Sequence, residues 1–453
     1  TVIIPCSGEP TALPFYPWDL TMNPDFNDVP FQNILKCVHC GLCLNDCPTY
    51  GELGTEQDSP RGRLYLMRAI WEGEWPLNEE VAAPLSRCLD CRACETACPS
   101  GVPYGELLEK TRGVMEARLP RSLLTKLLRA IFLDRLLMSH RLLKWFSVGG
   151  RAFRSLGLHH LGARLPGRLG AAHRLMPHFS GRSFKETIAN RKPPPETHMK
   201  VGFFSGCVMD VAEEAIHLAT WQLLEAMGCK VIAPLEQACC GALHVHSGDR
   251  ENARRLALRN EKAFEALDVD AIIVNSAGCG AQLKEMHHLF SDTPERDRQR
   301  WKAFGAPFTD ILQFMAATPQ ASSLPWSREP TTVFYDAPCH LIHAQKVDNR
   351  AFLGQLPGVN LVPLTQADRC CGAGGIYNLI QKDISEAVLG RKMDDIEATL
   401  ERHPQGTVLL TGNPGCLFQI RRGVEMRALP IKVMHPATWL LERLELCLLD
   451  GTQ

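Results

Sequence analysis

Residues 37–48 read Cys37-Val38-His39-Cys40-Gly41-Leu42-Cys43-Leu44-Asn45-Asp46-Cys47-Pro48, and residues 88–99 read Cys88-Leu89-Asp90-Cys91-Arg92-Ala93-Cys94-Glu95-Thr96-Ala97-Cys98-Pro99. Both follow the pattern C-x2-C-x2-C-x3-C-P. Three thiolates at such spacing on a looping backbone reach three irons of one cube. The fourth points away and ligates a second cube. One 4Fe–4S cluster is therefore expected on Cys37, Cys40, Cys43 and Cys98, and another on Cys88, Cys91, Cys94 and Cys47. Pro48 and Pro99 turn the chain after each fourth ligand. Zinc competes for such thiols, but zinc sites draw on C-x2-C pairs from separate hairpins. Two complete runs ending in proline favour iron–sulfur cubes.

The arrangement resembles that of two-cluster ferredoxins, so residues 31–118 are read as a ferredoxin-like helical module. Between its motifs, Leu64, Met67, Ile70 and Trp71 recur at helical spacing. Lys36, Arg87 and Arg92 are placed to balance the negative charge of thiolate-bound cubes, with solvated surface charge as the alternative for each. Residues 1–30, rich in proline and aromatic residues, are read as an extended arm. Residues 119–195 form a basic helical region and linker: nine cations between Lys126 and Arg168 face one acid, Asp134. Leu123, Leu124, Leu127, Leu128, Ile131 and Phe132 give this region an apolar face. The run Lys192-Pro193-Pro194-Pro195 closes it.

An internal repeat follows. Residues 201–207 (VGFFSGC) resemble 332–339 (TVFYDAPC), residues 231–241 (VIAPLEQACCG) resemble 361–372 (LVPLTQADRCCG), and residues 271–279 (AIIVNSAGC) resemble 408–416 (VLLTGNPGC). Each copy alternates β-rich runs with helical stretches, which predicts a parallel or mixed α/β sheet. Cysteines just past strand ends gather at one sheet edge, where open α/β folds bind ligands. One set is Cys207, Cys239, Cys240 and Cys279; the other is Cys339, Cys370, Cys371 and Cys416. Adjacent cysteines rarely pair with each other, yet they can offer two thiolates to one metal group. Both copies resemble the cysteine-rich CCG domain of heterodisulfide reductases. That family's full pattern has five cysteines and can carry a non-cubane cluster. Here Ser276 and Asn413 stand where the last C-x2-C would begin, which counts against disulfide-reducing chemistry. Four thiolates still suffice for a cube. One or two further iron–sulfur clusters are expected, with zinc or unmetallated thiols as alternatives. Cys6, Cys229 and Cys447 lack partners at ligand spacing and are read as packing residues. His244, His246 and His340 are read as structural, with metal ligation or proton transfer as the alternative, and His39 as packing in its loop, with tuning of the cluster potential as the alternative.

The expected fold class is α+β and α/β. Its parts are the arm (1–30), the ferredoxin-like domain (31–118), the basic helical region (119–195) and two pseudo-symmetric CCG domains (196–325 and 326–453). A chain of 453 residues, 45% hydrophobic and 22% charged, suits several globular units. A net charge of −1 argues against a nucleic-acid partner. Nineteen cysteines, most of them in ligand-type sets, point to a reducing compartment. No signal peptide and no spanning helix are read from the sequence. The expected location is cytoplasmic, with peripheral contact at the cytoplasmic face of the inner membrane as an option. No G-x-G-x-x-G follows a strand, so neither flavin nor NAD is expected on this chain.

Taken together, residues 37–50, 58–66, 88–101, both CCG segments and 412–416 resemble the iron–sulfur subunits of bacterial glycolate oxidase, from about residue 31 to the end. Glycerol-3-phosphate dehydrogenase small subunits and lactate-utilisation proteins share the modules. The resemblance implies an electron-transfer subunit of a 2-hydroxyacid dehydrogenase complex. It would take electrons from FAD on partner subunits and pass them towards a quinone or other acceptor. The alternatives are a reductase subunit acting at a CCG site, on a heterodisulfide or a quinone, and an iron–sulfur subunit of a glycerol-3-phosphate or lactate dehydrogenase.

Overall fold

The computed structural model of the chain describes residues 30–157, 179, 181–189, 191 and 197–450, with backbone alone at 31 and 445–450. The expected arm lies outside the described residues except for Pro30, as do Cys6 and the side chain of Cys447.

The first module is helical. Helices Phe31–Leu35, Pro48–Leu53, Pro60–Trp71, Glu79–Ser86, Ala93–Thr96 and Tyr104–Arg118 surround the two cysteine loops. The helix expected between the motifs is Pro60–Trp71. Ser59 caps it by accepting from Gly62 N at 2.9 Å, with Pro60 in the first turn. A side chain at Gly62 would start 1.9 Å from the Glu56 carbonyl, so only glycine lets this turn close. Leu64, Met67, Ile70 and Trp71 are buried with Leu85, Leu107 and Leu108 in one apolar core. Each such side chain contributes about 1.5–3 kcal/mol relative to exposure.

Helix Leu123–Ile131, a π-helical turn Phe132–Leu136 and helix His140–Ser155 follow. Their apolar stripe is only partly covered: Leu133 and Leu143 are buried, whereas Leu123, Leu124, Leu127, Leu128, Ile131 and Phe132 are exposed.

Each repeat forms a four-stranded parallel sheet. The first contains β1 (Met199–Phe204), β2 (Cys229–Ile232), β3 (Ala271–Val274) and β4 (Phe308–Asp310), in the order β2-β1-β3-β4. The second contains β5 (Thr331–Tyr335), β6 (Val359–Pro363), β7 (Val408–Leu410) and β8 (Lys432–Met434), in the order β6-β5-β7-β8. The topology is the same twice. β3 is buried at all four positions, as a central strand covered on both faces requires. The strands β4 and β8 were not anticipated; at three residues each they carry no periodic signal. Helix Glu214–Ala226 of the first repeat packs against helix Pro436–Asp450 of the second. One apolar core thereby runs through both repeats, from Phe203 to Leu440.

Candidate metal centres

The two cysteine loops share one backbone shape despite different side chains. His39 and Asp90 have φ of 55° and 54°, and Gly41 and Arg92, two residues on, have φ of 84° and 64°. Left-handed residues in this alternation turn successive N–H groups towards one concave side, where negative charge is stabilised. Cys88 Sγ already accepts from Asp90 N at 3.4 Å.

Cys37, Cys40, Cys43 and Cys98 line one small pocket of about 30 Å³, with Cys94 also on its wall. Cys47, from the end of the first loop, is buried among the second-loop thiols: the charges of Cys91, Cys88 and Cys47 all bear on Cys94. Burial pushes the Cys43 thiol up to about 11, and Cys91 and Cys94 well above the ordinary range. Thiols this crowded and desolvated ionise only beside a concentrated positive charge, which a coordinating metal supplies. The donor set therefore fits an iron–sulfur group.

The charges around the loops differ from the expected ones. Arg63, which sequence reasoning missed, is wholly buried beside Cys47. Its guanidinium donates to Pro84 O at 2.7 Å and Thr49 Oγ1 at 2.9 Å, pairs with Asp58 at 3.3 Å, and approaches Cys47 Sγ at 3.8 Å. Arg87 makes a two-pronged pair with Asp58, both contacts at 2.8 Å. Arg92 serves carboxylates rather than thiolates: Asp90 at 3.0 Å, Glu109 at 2.9 Å, Glu95 and Glu285 at 3.5 Å. Lys36 is exposed. Burial opposes ionisation of Asp90, but Arg92, His246 and Arg112 hold its carboxyl well below the ordinary range. Burial pushes Glu285 up to about 7 despite Arg92. Asp90, Glu109 and His246 bring ligand-type atoms within 4.8 Å of one another. Arg92 already donates to both carboxylates, so the trio is an ion-pair network.

In the repeats, each cysteine set converges at the carboxyl ends of its strands. Cys207 Sγ and Cys239 Sγ are 3.2 Å apart, and Cys240 is hydrogen-bonded to Cys239 and Cys279. The second set is chained likewise, from Cys339 through Cys370 and Cys371 to Cys416. None of the described cysteines forms a disulfide. Donation to a neighbouring sulfur, and then burial, push Cys207, Cys240, Cys370, Cys371 and Cys416 well up. Gly372 shapes the second Cys-Cys turn: its φ is 84°, and a side chain there would start 2.5 Å from the Ser385 carbonyl. A buried lysine stands behind each set. Lys392 Nζ pairs with Asp336 at 2.8 Å; Lys185 Nζ donates to Gln237 O at 2.8 Å. Neither is signalled by a motif.

All eight CCG cysteines line a single cavity of about 310 Å³ between the repeats. Ser276 and Asn413 meet on its wall, Oγ to Oδ1 at 3.2 Å. His217, His246 and His340 also line it. Burial pushes His217 down to about 4 and His340 to about 3, so both are neutral at pH 7. His244 is structural, bonded to Leu133 O at 3.1 Å. His39 is exposed. The second loop joins this cavity: Leu89, Cys91, Ala93, Cys339, Cys370, Tyr377 and Val388 form one apolar cluster. Burial first, and then the neighbouring Cys370, push the Cys91 thiol up.

Residues 33–102 match the 4Fe-4S dicluster domain family. Residues 201–284 and 333–421 each match the CCG family, a cysteine-rich domain. The chain is 37% identical over 428 residues to the probable glycolate oxidase iron-sulfur subunit of Bacillus subtilis, covering 90% of this chain and 94% of that protein. It is 30% identical to the glycolate oxidase iron-sulfur subunit of Escherichia coli, covering 85% and 89%. Lactate utilization protein A of Geobacillus thermodenitrificans is 31% identical over 54% of this chain and 100% of its own length. Among the described residues, no helix is long and apolar enough to cross a membrane.

Proposed function

Because the chain belongs to the family of glycolate oxidase iron–sulfur subunits, we propose that it relays electrons from FAD on partner dehydrogenase subunits towards a quinone or other acceptor. Bound iron–sulfur clusters would supply one-electron redox chemistry. Cys37, Cys40, Cys43 and Cys98 would hold one 4Fe–4S cluster, and Cys88, Cys91, Cys94 and Cys47 another. Cys207, Cys239, Cys240 and Cys279 would hold a third; Cys339, Cys370, Cys371 and Cys416 a fourth. The unit limits read from the sequence, at 118, 195 and 325, belong to this proposal.

The observation that carries the reading is the shared burial of Cys91 with Cys339 and Cys370. It joins the second ferredoxin-type loop to the second CCG set through one buried apolar cluster. Burial of this kind keeps water from thiolates while holding neighbouring sets close. Entry at the first loop is supported by exposure: Cys40 is open to solvent, with Val38 and Leu42 exposed beside it. Apolar side chains around an accessible ligand loop suit a docked protein partner.

Glycolate oxidation with a dye acceptor tests the reading. The chain together with flavin-bearing subunits should turn over, and the chain alone should not. Glycolate oxidation by the isolated chain would end the assignment. The shared CCG cavity favours a second reading, a reductase acting between the two sets. Electron paramagnetic resonance during turnover distinguishes it by a sulfur-centred radical at a cluster.

A further inference from the structure

We propose that a second cavity, of about 410 Å³, binds a lipid-soluble quinone delivered from a bilayer that the helix Leu123–Ile131 contacts. This deepens the relay reading and rests on it.

The cavity lies where the helical module meets both repeats. Its walls are mainly apolar, with Ala83, Met115, Leu119, Ile376 and Tyr377 among them. Of the ferredoxin-type cysteines only Cys88 lines it, so it is distinct from the pocket among the first-cluster thiols. It still touches Cys88, Leu89 and Asp90 of the second loop. A flat conjugated acceptor there would lie against a ligand loop. Leu89 and His246 line this cavity and the thiol-lined one alike.

Arg121, just before the helix Leu123–Ile131, and Thr125 and Arg129 on one face of it line the cavity. The remaining surface of that segment exposes Leu123 (84%), Leu124, Leu127, Leu128 and Ile131, and Trp145 (73%) is exposed on the next helix. Lys126 on this helix, Arg135 on the turn after it and Arg141 on the next helix are exposed. So much exposed apolar surface in one place marks an interaction site. An apolar stripe flanked by cations, with an exposed tryptophan on the next helix, suits a surface that lies in the headgroup layer of an anionic membrane. Contact there brings the cavity to the membrane surface, where a dissolved quinone can enter without crossing water. A soluble carboxylic acid gains nothing from the apolar walls, and a plain acyl chain gains nothing from the redox loop. A quinone uses both. Its two carbonyl oxygens each take one proton from solvent. Two electrons arrive singly from the reduced relay, supplied by 2-hydroxyacid oxidation on the flavin partner. The product is the quinol, and no bond to the protein forms.

The full chain, purified anaerobically with its iron, is illuminated with a short-chain azido-ubiquinone and mapped by peptide mass spectrometry. Labelling is expected within residues 119–129 or 374–381. Ala83→Trp, which fills the cavity, should cut labelling by about tenfold or more, the factor that about 1.4 kcal/mol of binding gives. It should slow reoxidation of the dithionite-reduced chain by decylubiquinone similarly, and leave reoxidation by ferricyanide unchanged. Ile380→Trp on another wall repeats the test if Ala83→Trp does not fold. Vesicles of phosphatidylglycerol and phosphatidylcholine should float the chain, and Leu124→Glu with Leu127→Glu should abolish flotation. Labelling elsewhere, labelling undiminished in both tryptophan variants, or no flotation of the wild type overturns the proposal. A chain without iron, or one that ferricyanide does not reoxidise, would instead end the relay reading. An iron-loaded, ferricyanide-competent chain that takes no label removes this inference alone.

Discussion

Ser276 Oγ lies 3.2 Å from Asn413 Oδ1, so the two positions that lack the family's fifth cysteine touch each other across the repeats. Asn413 Oδ1 also accepts from Gly278 N at 3.1 Å, and Ala277 N donates to Gly412 O at 3.2 Å. Asn413 Nδ2 reaches Cys416 Sγ at 3.4 Å. The two side chains thus form a polar seam that ties one thiol set to the other.

Breaking this seam should loosen both sets. Asn413→Leu leaves Gly278 N and Ser276 without their acceptor. A cost of about 1–3 kcal/mol follows from stranding buried polar groups. Urea unfolding should show it, and Ser276→Ala should cost less, since Cys279 N loses its acceptor while Asn413 Oδ1 keeps Gly278 N as a donor.

Arg63 should matter both to stability and to the second cluster. Arg63→Leu removes a buried cation from Asp58 and Cys47, and breaking such a pair costs about 3–5 kcal/mol. Loss of positive charge beside Cys47 also makes electron uptake harder. A potentiometric titration should find that cluster's potential lowered in Arg63→Leu and less so in Arg63→Lys, which keeps the charge but not the bond network.

The two Cys-Cys turns should respond unequally to the same change. Gly372→Ala forces a side chain to within 2.5 Å of a carbonyl, whereas at Gly241 the nearest atom is 3.5 Å away. Both residues have positive φ, 84° and 90°, so both alanines are strained, at about 1–3 kcal/mol. Only Gly372→Ala also displaces the neighbouring helix. It should lower iron per chain more than Gly241→Ala does.

Glu285 predicts a pH dependence. Its carboxyl titrates near 7 in the folded chain, above its ordinary 4.5, so the native state holds the proton longer than the unfolded one. Its contribution is fully present at low pH and is lost as pH rises from about 4.5 to about 7. Glu285→Gln should therefore gain stability relative to wild type across that window. The unfolding midpoint at pH 5 and pH 8 checks it; a gap that narrows with rising pH contradicts it.

What could be read in advance follows from how local each signal is. The C-x2-C-x2-C-x3-C spacing and the paired Cys-Cys-Gly runs are short and self-contained, so the cysteine sets and the duplicated α/β unit were visible. The buried cations were not. Arg63, Lys185 and Lys392 sit far from the thiols in sequence and look like surface residues until the fold buries them. The place of Arg92 inside a ligand loop suggests a cluster cation, yet the fold turns it to four carboxylates, Asp90, Glu95, Glu109 and Glu285. β4 and β8 are too short to show a period. The leucines at 123–128 showed amphipathicity, but no pattern tells whether such a stripe meets its own core or another surface.

Iron and acid-labile sulfide per chain, measured on anaerobically purified protein and on its Cys91→Ser variant, test the account most directly. About eight irons from the dicluster region, more with the CCG sets filled, and a loss confined to the second-loop cluster in the variant are expected. Colourless protein holding zinc or disulfides at these cysteines would contradict it.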